Sequence, residues 1–242
     1  TTADNNTAVG YQAGYANTTG TDNTALGVKA MVTNTTGTLN VASGGSALRL
    51  NTTGSSNTAM GVSALFSNTT ASNNTAVGYQ SLYDNTTGAN NQAVGNYALS
   101  NNTTGNSNQA MGYAALEANT TGANNVAIGA TALLSNTTAS SNTAVGYQSL
   151  YANTTGINNT AVGWSAAKAI TTGTRNVALG YAALDADTLG SKSTALGYAA
   201  LSIQNFTSAT DTFNTAVGFS AGTAVTTGIQ NTLIGGLAGD AL

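Results

Sequence analysis

Asn74-Thr75-Ala76-Val77-Gly78-Tyr79-Gln80-Ser81-Leu82 is one copy of a unit that makes up nearly the whole chain. Its glycine recurs at Gly10, Gly27, Gly44, Gly61, Gly78, Gly95, Gly112, Gly129, Gly146, Gly163, Gly180 and Gly197, always 17 residues apart. The next step is 21 residues, to Gly218, and the last is 17 again, to Gly235. A fixed short period marks a solenoid and outranks local propensity. The chain therefore reads as all-β: a parallel β-solenoid (β-roll) of fourteen 17-residue coils, one with a four-residue insertion. Residues 1–242 form a single repeat domain in this reading, with an expanded loop at 202–213.

We number the unit from its first Asn, so that the glycine is position 5. Position 3 is Ala in every copy but the last, which has Leu233. Position 4 is aliphatic or Met in all copies but one, which has Ser43, and position 8 is always Ala or Ser. Position 9 is mostly Leu, and Asn-Thr-Thr-Gly or a near variant closes most units. Seventeen residues are too few for a helix pair, which needs about twice that length. Two short strands fit, at positions 2–4 and 6–9, since Tyr, Val and Thr favour strands. A short helical turn at positions 6–10 is the competing reading of the second segment.

Coils stacked at the ~4.8 Å strand spacing would build a rod of roughly 65–70 Å. Two columns are expected to form its core. The position-4 column comprises Val9, Leu26, Met60, Val77, Val94, Met111, Ile128, Val145, Val162, Leu179, Leu196 and Val217. The position-9 column comprises Leu48, Leu65, Leu82, Leu99, Leu116 and Leu150. The position-1 residues Asn6, Asn23, Asn40, Asn57, Asn74, Asn91, Asn108, Asn125, Asn142, Asn159 and Asn176 are expected to form an amide ladder that satisfies turn backbone. The position-5 glycine either adopts a positive φ or admits a close backbone neighbour. Ile203, Phe206 and Phe213 in the expanded loop are expected to tuck onto the rod rather than form a contact site.

Composition narrows function by exclusion. The chain has no Pro, Cys or His, which removes disulfides, thiolate metal sites and the commonest general base. Charged residues are only 5% of the chain, and the five basic ones are scattered. Nucleic-acid binding needs clustered cations, so it is not expected. No apolar run approaches the ~20 residues of a membrane span, so no membrane insertion is expected. No secretory leader is read, and the chain is taken as mature or as an excerpt. Asp185 and Asp187 are the one close carboxylate pair, too few oxygen ligands for calcium. No enzyme, cofactor or metal site is expected. Asn-Thr-Thr satisfies the glycosylation sequon many times but reads as turn chemistry.

Asn-Thr-Ala-Val-Gly-Tyr-Gln-Ser-Leu-Tyr-Ala-Asn-Thr-Thr-Gly, residues 142–156, resembles repeats of bacteriophage tail-fibre-like and bacterial surface proteins. Asn125-Val126-Ala127-Ile128-Gly129 looks like the head repeat of trimeric autotransporter adhesins. The resemblance implies a parallel β-roll, commonly trimeric, displayed outside a cell or virion.

These readings converge on an extracellular structural or adhesive fibre segment whose partner is itself, as a homotrimer, an end-to-end fibre, or both. Position 6 adds an aromatic column, with Tyr79, Tyr113, Tyr147, Trp164, Tyr181 and Tyr198 as candidate interface. Aromatic columns also stack on sugars, so a rod that binds cell-surface glycans is a second expectation. Ice binding through the ranked Thr-Thr pairs is an alternative of another class. Leu242 stops one position before the phase at which Thr1 begins, which suits a longer fibre.

Overall fold

The computed structural model describes residues 2–240. The chain forms two compact units, residues 1–123 and 124–242. The phasing of Thr1 against Leu242 falls outside the described residues.

In the first unit each copy of the repeat contributes one strand: β1 (Thr7–Val9), β2 (Thr24–Leu26), β3 (Val41–Ser43), β4 (Thr58–Met60), β5 (Thr75–Val77), β6 (Gln92–Val94) and β7 (Gln109–Met111). Each pairs in parallel with the next, one period on, as in Thr58↔Thr75, Ala59↔Ala76 and Met60↔Val77. The second unit repeats the plan with β8 (Val126–Ile128), β9 (Thr143–Val145), β10 (Thr160–Val162) and β11 (Val177–Leu179). A short pair, β12 (Gly190–Ser191) and β14 (Thr210–Asp211), flanks β13 (Thr194–Leu196). Next come β15 (Thr215–Val217) and β16 (Thr232–Ile234), which continue the main pairing from β11 and β13. Both units are thus parallel β-solenoids with the expected period, and no described residue is helical.

Positions 6–9 form neither the second strand nor the helical turn. They are consecutive turns, in which positions 7 and 9 have positive φ, as at Gln80 (51°) and Leu82 (51°). A strand cannot hold such residues. The segment still bonds to both neighbouring coils, alternately back and forward. Gln80 N donates to Val62 O (3.1 Å), whereas Leu82 N donates to Ala98 O (3.0 Å). Thus the turns satisfy their backbone through the stack, as a strand would.

The core lies between position 3 on the strand side and positions 8 and 9 on the turn side. Ala76, Leu82 and their equivalents are buried except in the first and last copies, and Leu48, Leu65, Leu99, Leu116 and Leu150 are where the sequence places them. The position-4 column is not. Val9, Leu26, Met60, Val94, Met111, Ile128, Val162 and Leu179 are exposed, and Val77, Val145, Leu196 and Val217 are half-buried on the same face. The reason is pleating: successive strand side chains point to opposite faces, so burying position 3 turns positions 2 and 4 outward. The coil is thin, and alanine against leucine fills it.

Two departures test this packing. Gly222 replaces Leu at position 9, and a Cβ there would lie 2.8 Å from Leu201 Cδ2 and 3.0 Å from Leu233 Cδ1. The next coil carries Leu233 where every other copy has Ala, so the leucine moves to the opposite wall. Gly14 also replaces Leu, but Ala8 stays small. A hollow of about 40 Å³ results, lined by residues including Ala8, Gly14, Ala25 and Met31.

The position-1 asparagines from Asn23 to Asn176 are buried, and Asn6 is exposed. Their ladder runs mainly to backbone rather than amide to amide. Asn57 Oδ1 accepts from Asn74 N (3.0 Å), and Asn57 Nδ2 donates to Ala71 O (2.9 Å). The continuous amide ladder is at position 12, which the sequence reading treated only as turn closure. Asn51 Nδ2 donates to Asn34 Oδ1 (2.7 Å) and Asn68 Nδ2 to Asn51 Oδ1 (2.8 Å). The two asparagine columns meet at the position-15 carbonyl: Gly54 O accepts from both Asn40 Nδ2 and Asn51 Nδ2 (2.9 Å each). The position-12 ladder stops at Ile170, which leaves Asn153 Oδ1 buried without a partner.

Of the three apolar residues of the expanded loop only Phe206 tucks in, beside the buried Gln204 and Thr212; Ile203 and Phe213 are exposed, with Lys192 Nζ 4.9 Å from the Phe213 ring centroid.

Candidate functional site

Positions 2, 4 and 6 together make an outward face on each unit. Position 2 supplies mostly half-buried threonine or valine, position 4 an aliphatic row, and position 6 the aromatic column. None of these positions carries a charge in any copy. The glycine between positions 4 and 6 fixes the geometry. At Gly163 φ is 137°, and a Cβ would sit 2.4 Å from Gly180 O. Both glycine readings therefore hold together, and the close neighbour is the next coil of the same chain.

The aromatic column differs between the two units. In the second unit Tyr147, Trp164, Tyr181, Tyr198 and Phe219 follow one another in successive coils. Centroid distances are 5.9, 4.8, 5.0 and 5.1 Å, and the last three pairs lie within 11° of parallel. Every ring is exposed, Trp164 at 46%. In the first unit Val28, Gly45, Val62 and Asn96 interrupt the column. There Tyr97, from position 7, meets Tyr79 and Tyr113 edge-on at 5.4 and 6.1 Å. The Tyr97 phenol is pushed above its ordinary value by desolvation and by Tyr79, Tyr113 and Glu117. All six candidate interface aromatics are exposed on these faces.

The carboxylates do not converge. Asp187 is fully buried and accepts from Gly190 N (3.0 Å), Gln204 Nε2 (2.7 Å) and Phe206 N (3.4 Å). It replaces a ladder asparagine and pins the expanded loop. Burial pushes the Asp185 carboxyl up, partly offset by Lys168, and its Oδ1 has no hydrogen-bond partner.

The threonine pairs divide their work. The first hydroxyl of a pair donates to the next coil, as Thr35 Oγ1 does to Thr52 O (3.0 Å). Only the second threonine of most pairs stands exposed, as a single file. The sequon asparagines at position 12, such as Asn51 and Asn68, are fully buried in their ladder. Sequence reasoning missed the outward position-4 row. Its signal was variability: position 3 is almost always Ala, whereas position 4 ranges over Val, Leu, Met, Ile and Ser.

No protein-family model, curated protein or solved structure matches the chain.

Proposed function

We propose that this chain is a non-catalytic segment of an extracellular structural or adhesive fibre, and that it assembles with copies of itself, as a homotrimer, through the position-2, -4 and -6 face. The observation that carries the reading is the outward aliphatic row beside exposed aromatics, on a face without charge. A standard interface covers ~800 Å² per partner. Isolated soluble proteins rarely leave a contiguous apolar patch of that size. A homotrimer would place like columns together and cover the aliphatic row.

The other two readings have less support. Sugars stack on ring faces, and from Trp164 to Phe219 the faces are turned to one another. Ice binding by the threonine pairs is left with one exposed threonine per coil in most copies.

Trp164 is the one tryptophan of the chain and sits on this face, so it reports on cover directly. Its emission should shift to the blue, and its quenching by acrylamide should fall, as concentration rises and chains assemble. A particle that stays a single chain at every concentration, with emission and quenching unchanged, would defeat the reading.

A further inference from the structure

A face built of repeated columns raises a problem of register. Two copies that slide by one coil place threonine on threonine and aliphatic on aliphatic again, so over most of their length positions 2 and 4 do not distinguish the slipped pairing from the aligned one. Registers are weakly specified where a pattern repeats without landmarks. The position-2 column carries one landmark. It is Thr or Val in every copy except Gln92 and Gln109, which are adjacent in β6 and β7 and directly paired, and both are exposed. In the sequence, the position-2 residues one copy before and one copy after them are Thr75 and Val126.

We infer that Gln92 and Gln109 set the axial register in which copies of this chain meet. The inference rests on the self-association proposed above and adds the specificity to it. A primary amide both donates and accepts, so like amides meeting across copies satisfy one another. In the aligned arrangement Gln92 meets Gln92 and Gln109 meets Gln109. A one-coil slip still pairs one glutamine with another, but it sets the outer two against Thr75 and Val126. The amide set against Val126 then loses water without gaining a partner, which is the costly outcome for a buried polar group, and the one set against Thr75 exchanges a two-way amide partner for a single hydroxyl. A single polar position inside an apolar seam fixes register in coiled coils by the same logic. The aliphatic row supplies no such discrimination, because Val, Leu, Ile and Met substitute for one another at modest cost.

The test uses the full chain, which has no cysteine of its own. One copy carries Thr58→Cys and a second carries Thr75→Cys, one coil apart in the same column. The two are mixed, unfolded and refolded together, then treated with a short thiol crosslinker. Alignment gives like-with-like products, Thr58 site to Thr58 site and Thr75 site to Thr75 site. Slippage gives crossed products. With both glutamines present, like-with-like products should exceed crossed ones by about tenfold or more, as loss of an amide's partners implies. With Gln92→Thr and Gln109→Thr added, the crossed share should rise several-fold, while particle mass and melting temperature stay unchanged. An unchanged crossed share in that background would overturn the role of the glutamines and leave the self-association standing. Chains that remain monomeric and uncrosslinked with both glutamines present would overturn the self-association, and the register role with it.

Discussion

Met60 and Leu65 belong to one coil and are similar in size and hydropathy, yet Leu65 is fully buried and Met60 is 47% exposed. The same contrast runs down both units, between the position-9 column inside and the position-4 column outside. Apolarity alone therefore does not define the core of a thin solenoid. The inside admits one alanine wall and one leucine wall, and the strand's pleat assigns everything else to the surface. The second aliphatic column is left outside the core of its own coil.

The contrast is broken most sharply by charge. Leu65→Asp must bury a carboxyl group with no partner, costing about 4 kcal/mol or more. Met60→Asp stands outside the core, where a separated chain keeps its carboxylate in water, and should leave the circular dichroism of the fold intact. Similar loss of structure in both variants, read as melting temperature, would erase the distinction between the columns.

Asn68→Ala comes next. It removes the donor to Asn51 Oδ1 (2.8 Å) and the acceptor of Asn85 Nδ2 (3.0 Å), stranding buried groups in two coils. We expect a loss of about 3 kcal/mol in chemical denaturation. Gly163→Ala follows, at ~2 kcal/mol, from a positive φ and a close approach to the next coil. An unchanged denaturation midpoint in either would mean that the stack is less constrained than its geometry implies.

The smallest effect is at Asp185. Its folded carboxyl titrates above the usual value, so the folded state holds its proton more tightly than the unfolded chain does. Stability from this group is therefore lost as pH rises from the unfolded value through the folded one. Asp185→Asn should raise the melting temperature at neutral pH and change little once the carboxyl is protonated in both states. A benefit of equal size at acid pH would contradict this.

Much of this was legible in the sequence. The period of 17 fixed the solenoid, the leucines at position 9 fixed one wall, and the near-invariance of Ala at position 3 reflects the space it must fill. Two things were not legible. A triplet such as Thr-Ala-Val does not say which of its last two residues faces inward, and the larger one was the natural but mistaken choice at Val9, Met60 and Val162. The turn at positions 6–9 was hidden because leucine rarely adopts the positive φ found at Leu82. The exposed aromatic column was readable from residue type alone, whereas its stacking from Trp164 to Phe219 required coordinates.

In the proposed fibre the outward column is covered by copies of the chain. Light scattering tests it most directly, on the wild-type chain beside a Val162→Asp, Leu179→Asp variant whose changes lie side by side in β10 and β11. The proposed homotrimer would give three times the 23.8 kDa chain mass for the wild type and a single, folded chain for the variant. A wild-type particle of 23.8 kDa at all concentrations, or a variant that keeps the full assembled mass, would contradict it.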